Sequence, residues 1–279
     1  MKDLSASIVV YRSPANILAQ TIHSFLCSTE DSRLYIIDNS PTDQLKYLAY
    51  DPRITYIFNG KNIGFGAGHN VSLRYVIEQS KYHLVLNPDV YFDTTVLTSI
   101  YQFMESNPDI GQVMPKVLYP DGRLQPLCKL LPSPKTLVIR RFFGFLKNLL
   151  QEENYTYELH FSGYDKIMDV PFLSGCFMFL RTEALKKVGL FDERFFLYTE
   201  DADLSRRIHR LYRTVYYPEV TIFHYHQRGS YTDPWLFWCG IKSTVSYFNK
   251  WGWANDEERD SVNNKVLQQL SYGSSAGGD

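Results

Sequence analysis

The order of apolar runs in the first third of this chain constrains its fold more than any other feature. Residues 5–11 form a β-branched run ended by Ser13-Pro14, which predicts a buried first strand. Ile17 to Cys27 then shows helical spacing, with Ile17, Leu18, Thr21, Ile22 and Phe25 on one side. Leu34 to Asp38 predicts a second strand, ended by Asn39-Ser40-Pro41, and Ile54 to Phe58 a third. Val71 to Ser80 reads as a helix and His83 to Leu86 as a fourth strand. Strands that alternate with helices predict an α/β fold with a mostly parallel central sheet flanked by helices. Ligands of such sheets sit beyond the carboxyl ends of the strands. That rule singles out Tyr11, Asp38, the 59–70 loop and Asn87-Pro88-Asp89.

With 279 residues the chain suits one large domain, or one domain with an appendage. The stretch 112–170 is irregular and proline-rich, and its pattern carries no readable code for an acceptor. Val170 to Leu180 resumes strand character, Thr182 to Val188 predicts a short helix, Asp201 to Arg213 a helix, and Thr214 to Phe223 contains another strand. Beyond Asp233 the sequence is helical and aromatic, and residues 271–279 read as a disordered tail. The expected organisation is a main domain over 1–230, with a first half over about 1–110 that carries the strand-end ligand positions and a second over about 111–230, then a helical extension over 231–270 and that tail.

A formal net charge of -1 leaves no global basic field of the kind nucleic acid demands. Cys27, Cys128, Cys176 and Cys239 show no metal-ligand spacing, so free thiols in a reducing compartment are expected. The N-terminus lacks the basic and apolar regions of a secretory signal. No apolar run reaches the roughly 18 residues of a membrane span. The expected location is the cytoplasm or the cytoplasmic face of the inner membrane. Residues 137–150 carry a stripe of Val138, Phe142, Phe145 and Leu149 beside Arg140, Arg141 and Lys147. Such a helix is a candidate peripheral membrane contact, and equally an amphipathic helix packed on the domain. The later aromatics, Trp235 to Trp238 and Tyr247 to Trp253, suit the same surface, a homodimer contact or core packing.

Four segments carry candidate chemistry. In Asn87-Pro88-Asp89, a carboxylate at a strand end beside a second oxygen ligand can hold a hard divalent cation, whose other positions go to water and diphosphate; the tripeptide is also an ordinary turn. Glu200, Asp201 and Asp203 place three carboxylates at a helix start after the aromatic approach Phe195 to Tyr198. There they serve as helix caps or, sheltered, as a general base. The glycine-rich stretch Asn59 to Asn70 precedes a helix and suits either a flexible turn or a close approach to a nucleotide. His224 and His226 follow a strand and share a face, which suits a packed pair or a metal or phosphate role.

In order along the chain stand Tyr11, Ile37 to Ser40, Asn62-Ile63-Gly64-Phe65-Gly66, Leu86 to Val90, Phe172 to Cys176, Gly189 to Glu193 and Tyr198 to Leu204. Together they resemble the family 2 glycosyltransferases of GT-A fold, in particular their rhamnosyltransferase-like branch, from about residue 5 to about residue 250. The resemblance implies an inverting glycosyltransferase that moves a sugar, with rhamnose the first candidate, from a nucleotide-diphosphate donor. The acceptor it implies is a glycan or lipid-linked glycan in bacterial surface polysaccharide synthesis.

The resemblance also implies site roles. Tyr11, Asp38, Asn62, Gly64, Phe65, Asn70, Asn87 and Asp89 would bind the donor, with Asp38 on the nucleobase or ribose. Asp89 would hold Mg²⁺ or Mn²⁺, joined by His224 or alternatively His226. Asp201 would be the catalytic base, with Glu200 assisting, and Ser174, Gly175, Cys176 and Tyr198 would face the acceptor. Asn87 departs from the Asp-x-Asp pattern of the wider family, which removes one negative charge from the cation site. Two other readings compete: a sugar-phosphate nucleotidyltransferase, which would release pyrophosphate, and an inactive carbohydrate-binding protein, which would bind sugar without turnover. The intact Asp38, Asp89 and Asp201 weigh against the second.

Overall fold

The computed structural model describes residues 3–137, 151–226 and 234–270. The candidate membrane helix, apart from Leu137, and the tail lie outside the described residues. The chain runs β1 (Leu4–Val10), α1 (Ala15–Ser28), β2 (Arg33–Asp38), β3 (Ile54–Phe58), α2 (Phe65–Val76), β4 (Tyr82–Leu86), β5 (Val90–Phe92) and α3 (Thr95–Ser106). It continues through β6 (Ile110–Leu118), β7 (Cys128–Lys129), α4 (Gln151–Tyr157), β8 (Met168–Asp169), β9 (Phe172–Leu173), β10 (Phe177–Arg181) and α5 (Thr182–Val188). The last elements are α6 (Glu200–His209), β11 (Arg213–His224), α7 (Pro234–Trp251) and α8 (Glu257–Gln269).

The central sheet has the order β3-β2-β1-β4-β10-β6-β11-β5, with β8 on β11. Strands β3, β2, β1 and β4 are mutually parallel, as the alternating sequence predicts, and β11 is parallel to β6. β10 runs antiparallel to both β4 and β6, and β5 antiparallel to β11. The expected strand over Val170 to Leu180 is broken at Ser174-Gly175-Cys176, and β7 pairs with β9 in a separate two-stranded sheet. Ile8, Ile36, Leu84 and Phe179 are wholly buried, so the sheet carries apolar side chains into a core beneath its helices.

Helix α2 begins at Phe65, six positions before the predicted start at Val71. Gly64 permits that start, because its φ of 94° is a left-handed conformation and a Cβ there would lie 2.4 Å from Phe196 O. Within the helix, a Cβ on Gly68 would lie 2.7 Å from the Val9 side chain, so this glycine sets how closely α2 packs on β1. The glycines that read as a flexible loop serve instead as close-approach positions.

The two final helices pack on the catalytic half. Tyr247 and Phe248 are buried against Leu131, Phe172, Phe195 and Ala202. Arg206 of α6 makes a paired contact with Asp256, Nη1 to Oδ2 at 2.7 Å and Nη2 to Oδ1 at 2.6 Å, and lies over the Trp251 ring. Trp251 Nε1 donates to Asp203 Oδ1 at 2.9 Å. α6 is thereby held from two sides.

Candidate active site

A cavity of about 320 Å³ opens at the carboxyl ends of β1, β2 and β4. One wall is Tyr11, Arg12 and Asn39, and the helix start contributes Asn62, Gly64 and Phe65. Asn87, Pro88 and Asp89 form its base, and Phe196, Leu197, Tyr198, Trp235 and Leu236 close the far side. The strand-end rule therefore located it, and Tyr11, Asn62, Gly64, Phe65, Asn87, Asp89 and Tyr198 come together there. Asn39 and Arg12, which no sequence pattern marks as site residues, line it as well. Asn39 ties three loops by accepting from Asn59 Nδ2 at 2.8 Å, donating to Gly64 O at 3.1 Å and donating its N–H to Val10 O at 2.9 Å.

Two residues expected on the donor are not in the cavity wall. Asp38 is wholly buried; Oδ1 accepts from Ser40 N at 2.8 Å and Oδ2 from the Tyr56 hydroxyl. Ser40 Oγ in turn accepts the Arg12 N–H at 2.9 Å, so Asp38 shapes the loop on which Arg12 sits. Asn70 is also buried, with Nδ2 donating to Phe191 O at 2.9 Å and to Glu193 at 2.8 Å, and Oδ1 accepting from Phe191 N at 3.1 Å. It joins α2 to the 191–193 turn rather than reaching a ligand. A resemblance in sequence places such residues on a loop but leaves open which way their side chains turn.

The candidate cation corner is built by two strand ends, those of β4 and β11. Asp89 follows β4, and Tyr225 N donates to its carbonyl at 3.1 Å, which holds it beside the end of β11. His224 Nε2 lies 3.3 Å from Asp89 Oδ1 and 3.4 Å from Asn87 Nδ2. His226 lies past the strand with a left-handed φ of 51° and packs on the Tyr119 ring, with its own ring 5.3 Å from that of His224. Among the described residues no group of three or more His, Cys, Asp or Glu side chains forms a metal cage. Asp89 lines the cavity and His224, buried beside it, does not; their facing oxygen and imidazole nitrogen fit a divalent cation that draws its other ligands from water and a diphosphate.

The second cluster lies at the start of α6. Tyr198 and Thr199 both have left-handed backbone, φ 70° and 66°, an uncommon state for such residues that turns the chain into the helix. Asp201 is half-buried; Oδ2 accepts from Gly175 N at 3.0 Å and Oδ1 from Ala202 N at 2.9 Å. Burial pushes its pKa up, while the Lys129 charge and these N–H donors pull it back. Glu200 is only 5% exposed and its Oε2 has no hydrogen-bond partner. Burial and then the Asp201 charge push its pKa well above the ordinary value, so the two carboxyls titrate as an interacting pair. Cys176 is buried between the two clusters, and burial with the charges of Asp89 and Asp201 raises its thiol to about 12, which leaves it inert. Asp201, Glu200, Ser174, Gly175 and Cys176 are not among the described residues lining the cavity. They stand behind it, with the break between β9 and β10 holding the base by its backbone. Lys129 and Gln125, both from the irregular region, are site residues that the sequence pattern did not signal.

An α/β sheet with a switch to antiparallel at β10 and a cavity at its strand ends, with a carboxylate–histidine corner beside Asn87, is the architecture of the GT-A fold. The sequence profile of Glycosyl transferase family 2 matches residues 5–189, and the chain belongs to that family and is a glycosyltransferase. It is 25% identical over 248 residues to the N-acetylglucosaminyl-diphospho-decaprenol L-rhamnosyltransferase of Mycobacterium tuberculosis, covering 84% of this chain and 80% of that one. It is 25% identical over 254 residues to the rhamnosyltransferase WbbL of Escherichia coli, covering 86% and 90%. Among solved structures, GalNAc-T7 with UDP, GalNAc and Mn²⁺ superposes with a TM-score of 0.63 at 13% identity, over 96% of this chain and 54% of that one. Family membership decides for glycosyl transfer over nucleotidyl transfer.

Proposed function

We propose that this glycosyltransferase moves a sugar, with L-rhamnose the first candidate, from a nucleoside-diphosphate donor to a glycan or lipid-linked glycan, with inversion and with a divalent cation. The observation that carries the proposal is the pairing of a carboxylate held by two backbone N–H groups, Asp201, with a separate corner of Asp89 and His224. The rhamnose and lipid-linked acceptor readings are supported by what the two relatives are named to do. Acceptors of that kind, in surface polysaccharide synthesis, would bring the protein to the cytoplasmic face of a membrane. No described helix is long and apolar enough to cross one.

Cleavage of the anomeric C–O bond leaves negative charge on the departing diphosphate. A bound Mg²⁺ or Mn²⁺ would supply charge stabilisation there as a Lewis acid. Asp89 and His224 would hold it, and the cavity walls Tyr11, Asn39 and Asn62 would receive the nucleoside. The acceptor hydroxyl is a poor nucleophile until a positioned base takes its proton. Asp201 does so through the carboxylate fixed by Gly175 and Ala202. Burial and the Asp201 charge raise the pKa of Glu200, so it holds a proton more tightly than an ordinary carboxyl. One base and no enzyme nucleophile in this reading give a single in-line displacement and inversion, by contrast with double-displacement glycosidases.

The test is incubation with dTDP-L-rhamnose, Mn²⁺ and an N-acetylglucosaminyl-diphosphate-lipid analogue, with product linkage read by NMR. Transfer with inverted anomeric configuration is expected. Retention of configuration would refute the single-displacement mechanism, and transfer only from another nucleotide sugar would refute the rhamnose assignment.

A further inference from the structure

We propose that Gln125 is a positioning residue of the cation corner, which locks His224 in the tautomer that presents a bare Nε2 beside Asp89. The metal role given to His224 rests on the functional reading above; the tautomer rests on hydrogen bonding alone. Gln125 is 2% exposed. It is brought to the end of β11 by the turn after β6, where Tyr119 N donates to Arg123 O at 2.8 Å and Gln125 N donates to Val117 O at 2.9 Å.

The amide orientation follows from its partners. Gln125 Nε2 donates to His224 O at 2.6 Å and to Leu118 O at 3.3 Å. Carbonyl oxygens only accept, so the NH₂ group must face them and the amide cannot be turned around. Oε1 therefore faces His224 Nδ1, at 3.0 Å. An amide oxygen only accepts, so Nδ1 carries the proton and, in the neutral ring, Nε2 carries a lone pair. That nitrogen is the one 3.3 Å from Asp89 Oδ1.

Two acceptors thus face each other at the corner, with Asn87 Nδ2 as the neighbouring donor at 3.4 Å. Repulsion between them is what a divalent cation relieves. Gln125 also grips His224 at both its ring and its main chain, which fixes the rotamer as well as the tautomer. A histidine ligand is ordinarily oriented in this way by a hydrogen bond to its other nitrogen, and loss of that bond weakens metal binding. Here the partner is a neutral amide, so orientation comes without adding charge to a corner that already has Asp89 and awaits a diphosphate.

The experiment combines ring-¹⁵N NMR of metal-free protein, with His224 assigned by comparison with His224→Gln, and Mn²⁺ binding followed by EPR, alone and with dTDP. The wild type is expected to show the Nδ1–H tautomer in the neutral ring. Gln125→Leu is expected to lose that preference and to bind Mn²⁺ roughly ten- to a hundredfold more weakly. Gln125→Glu keeps an acceptor at Nδ1 but loses the donor to His224 O, and is expected to retain the tautomer while losing the main-chain grip. A wild-type Nε2–H tautomer would overturn the proposal without any variant, so it stays testable even if Gln125→Leu does not fold. Unchanged Mn²⁺ affinity in a folded Gln125→Leu would overturn the positioning role. A wild type with the Nδ1–H tautomer but no Mn²⁺ binding would instead refute the metal reading, and with it the purpose assigned to Gln125.

Discussion

The backbone N–H of Gly175 points at Asp201, donating to Oδ2 at 3.0 Å. A Cβ on Gly175 would lie 3.2 Å from the Asp201 Cβ, so the break between β9 and β10 is shaped to admit this carboxylate. In the expected reaction Asp201 accepts the acceptor's proton. Asp201→Asn retains the size of the side chain and removes the basic oxygen. Turnover should fall by about 10²–10⁴-fold, while nucleotide affinity measured by calorimetry stays close to wild type. Near-normal turnover in this variant would remove Asp201 as the base.

Burial raises the Asp201 pKa and the Lys129 charge opposes the rise. A base works deprotonated, so activity should fall as pH drops through a value above the ordinary Asp range near 4. Removing the opposing charge raises that value further. In Lys129→Met, the acid limb of the kcat/KM profile should move to higher pH, with little change on the plateau. A limb that stays in place would show that Lys129 does not reach Asp201 electrostatically.

Glu200 gives a stability prediction of definite sign. Its folded pKa is raised by burial and by Asp201, so the folded state holds the proton more tightly than the unfolded chain. The corresponding stability is fully present below the unfolded value, near 4.3, and is lost as pH rises toward the folded one. Glu200→Gln removes this loss. Its Tm should gain on the wild type as pH rises from acid to neutral. A difference independent of pH would contradict the raised pKa of Glu200.

The Arg206–Asp256 pair ties the C-terminal helices to the helix that carries the base. Both side chains are almost fully buried, at 2% and 5% exposure. Asp256→Ala strands a buried guanidinium, for which about 3–5 kcal/mol is the usual cost. Glu258, which also accepts from Arg206 at 2.6 Å, should keep the loss at the lower end. Urea unfolding measures it, and a loss below about 1 kcal/mol would place the pair among surface-type contacts.

Much of the frame was legible because it depends on local pattern. Ile54 to Phe58 and Thr182 to Val188 have the bounds the pattern predicts, each an apolar or helical run with clear stops. The strand-end rule reached the cavity from four short strands. What escaped depends on contacts between distant residues. Gln125 meets His224 across 99 positions, from a stretch whose prolines hide any period. Asp38 and Asn70 share their motifs with ligand-facing residues, yet Tyr56, Ser40, Phe191 and Glu193 occupy their polar atoms. The helix start at Phe65 was hidden because glycine lowers helix propensity, whereas close packing on Val9 requires it.

The central claim is that this cavity binds a nucleoside diphosphate through a cation held at Asp89. Thermal unfolding with UDP, GDP and dTDP, each with and without Mn²⁺, tests it in wild type and in Asp89→Ala, since a ligand of the folded state raises Tm. The account predicts a Mn²⁺-dependent rise for one nucleotide that disappears in Asp89→Ala. A rise of equal size in the variant, or none with any nucleotide in folded wild type, would contradict it.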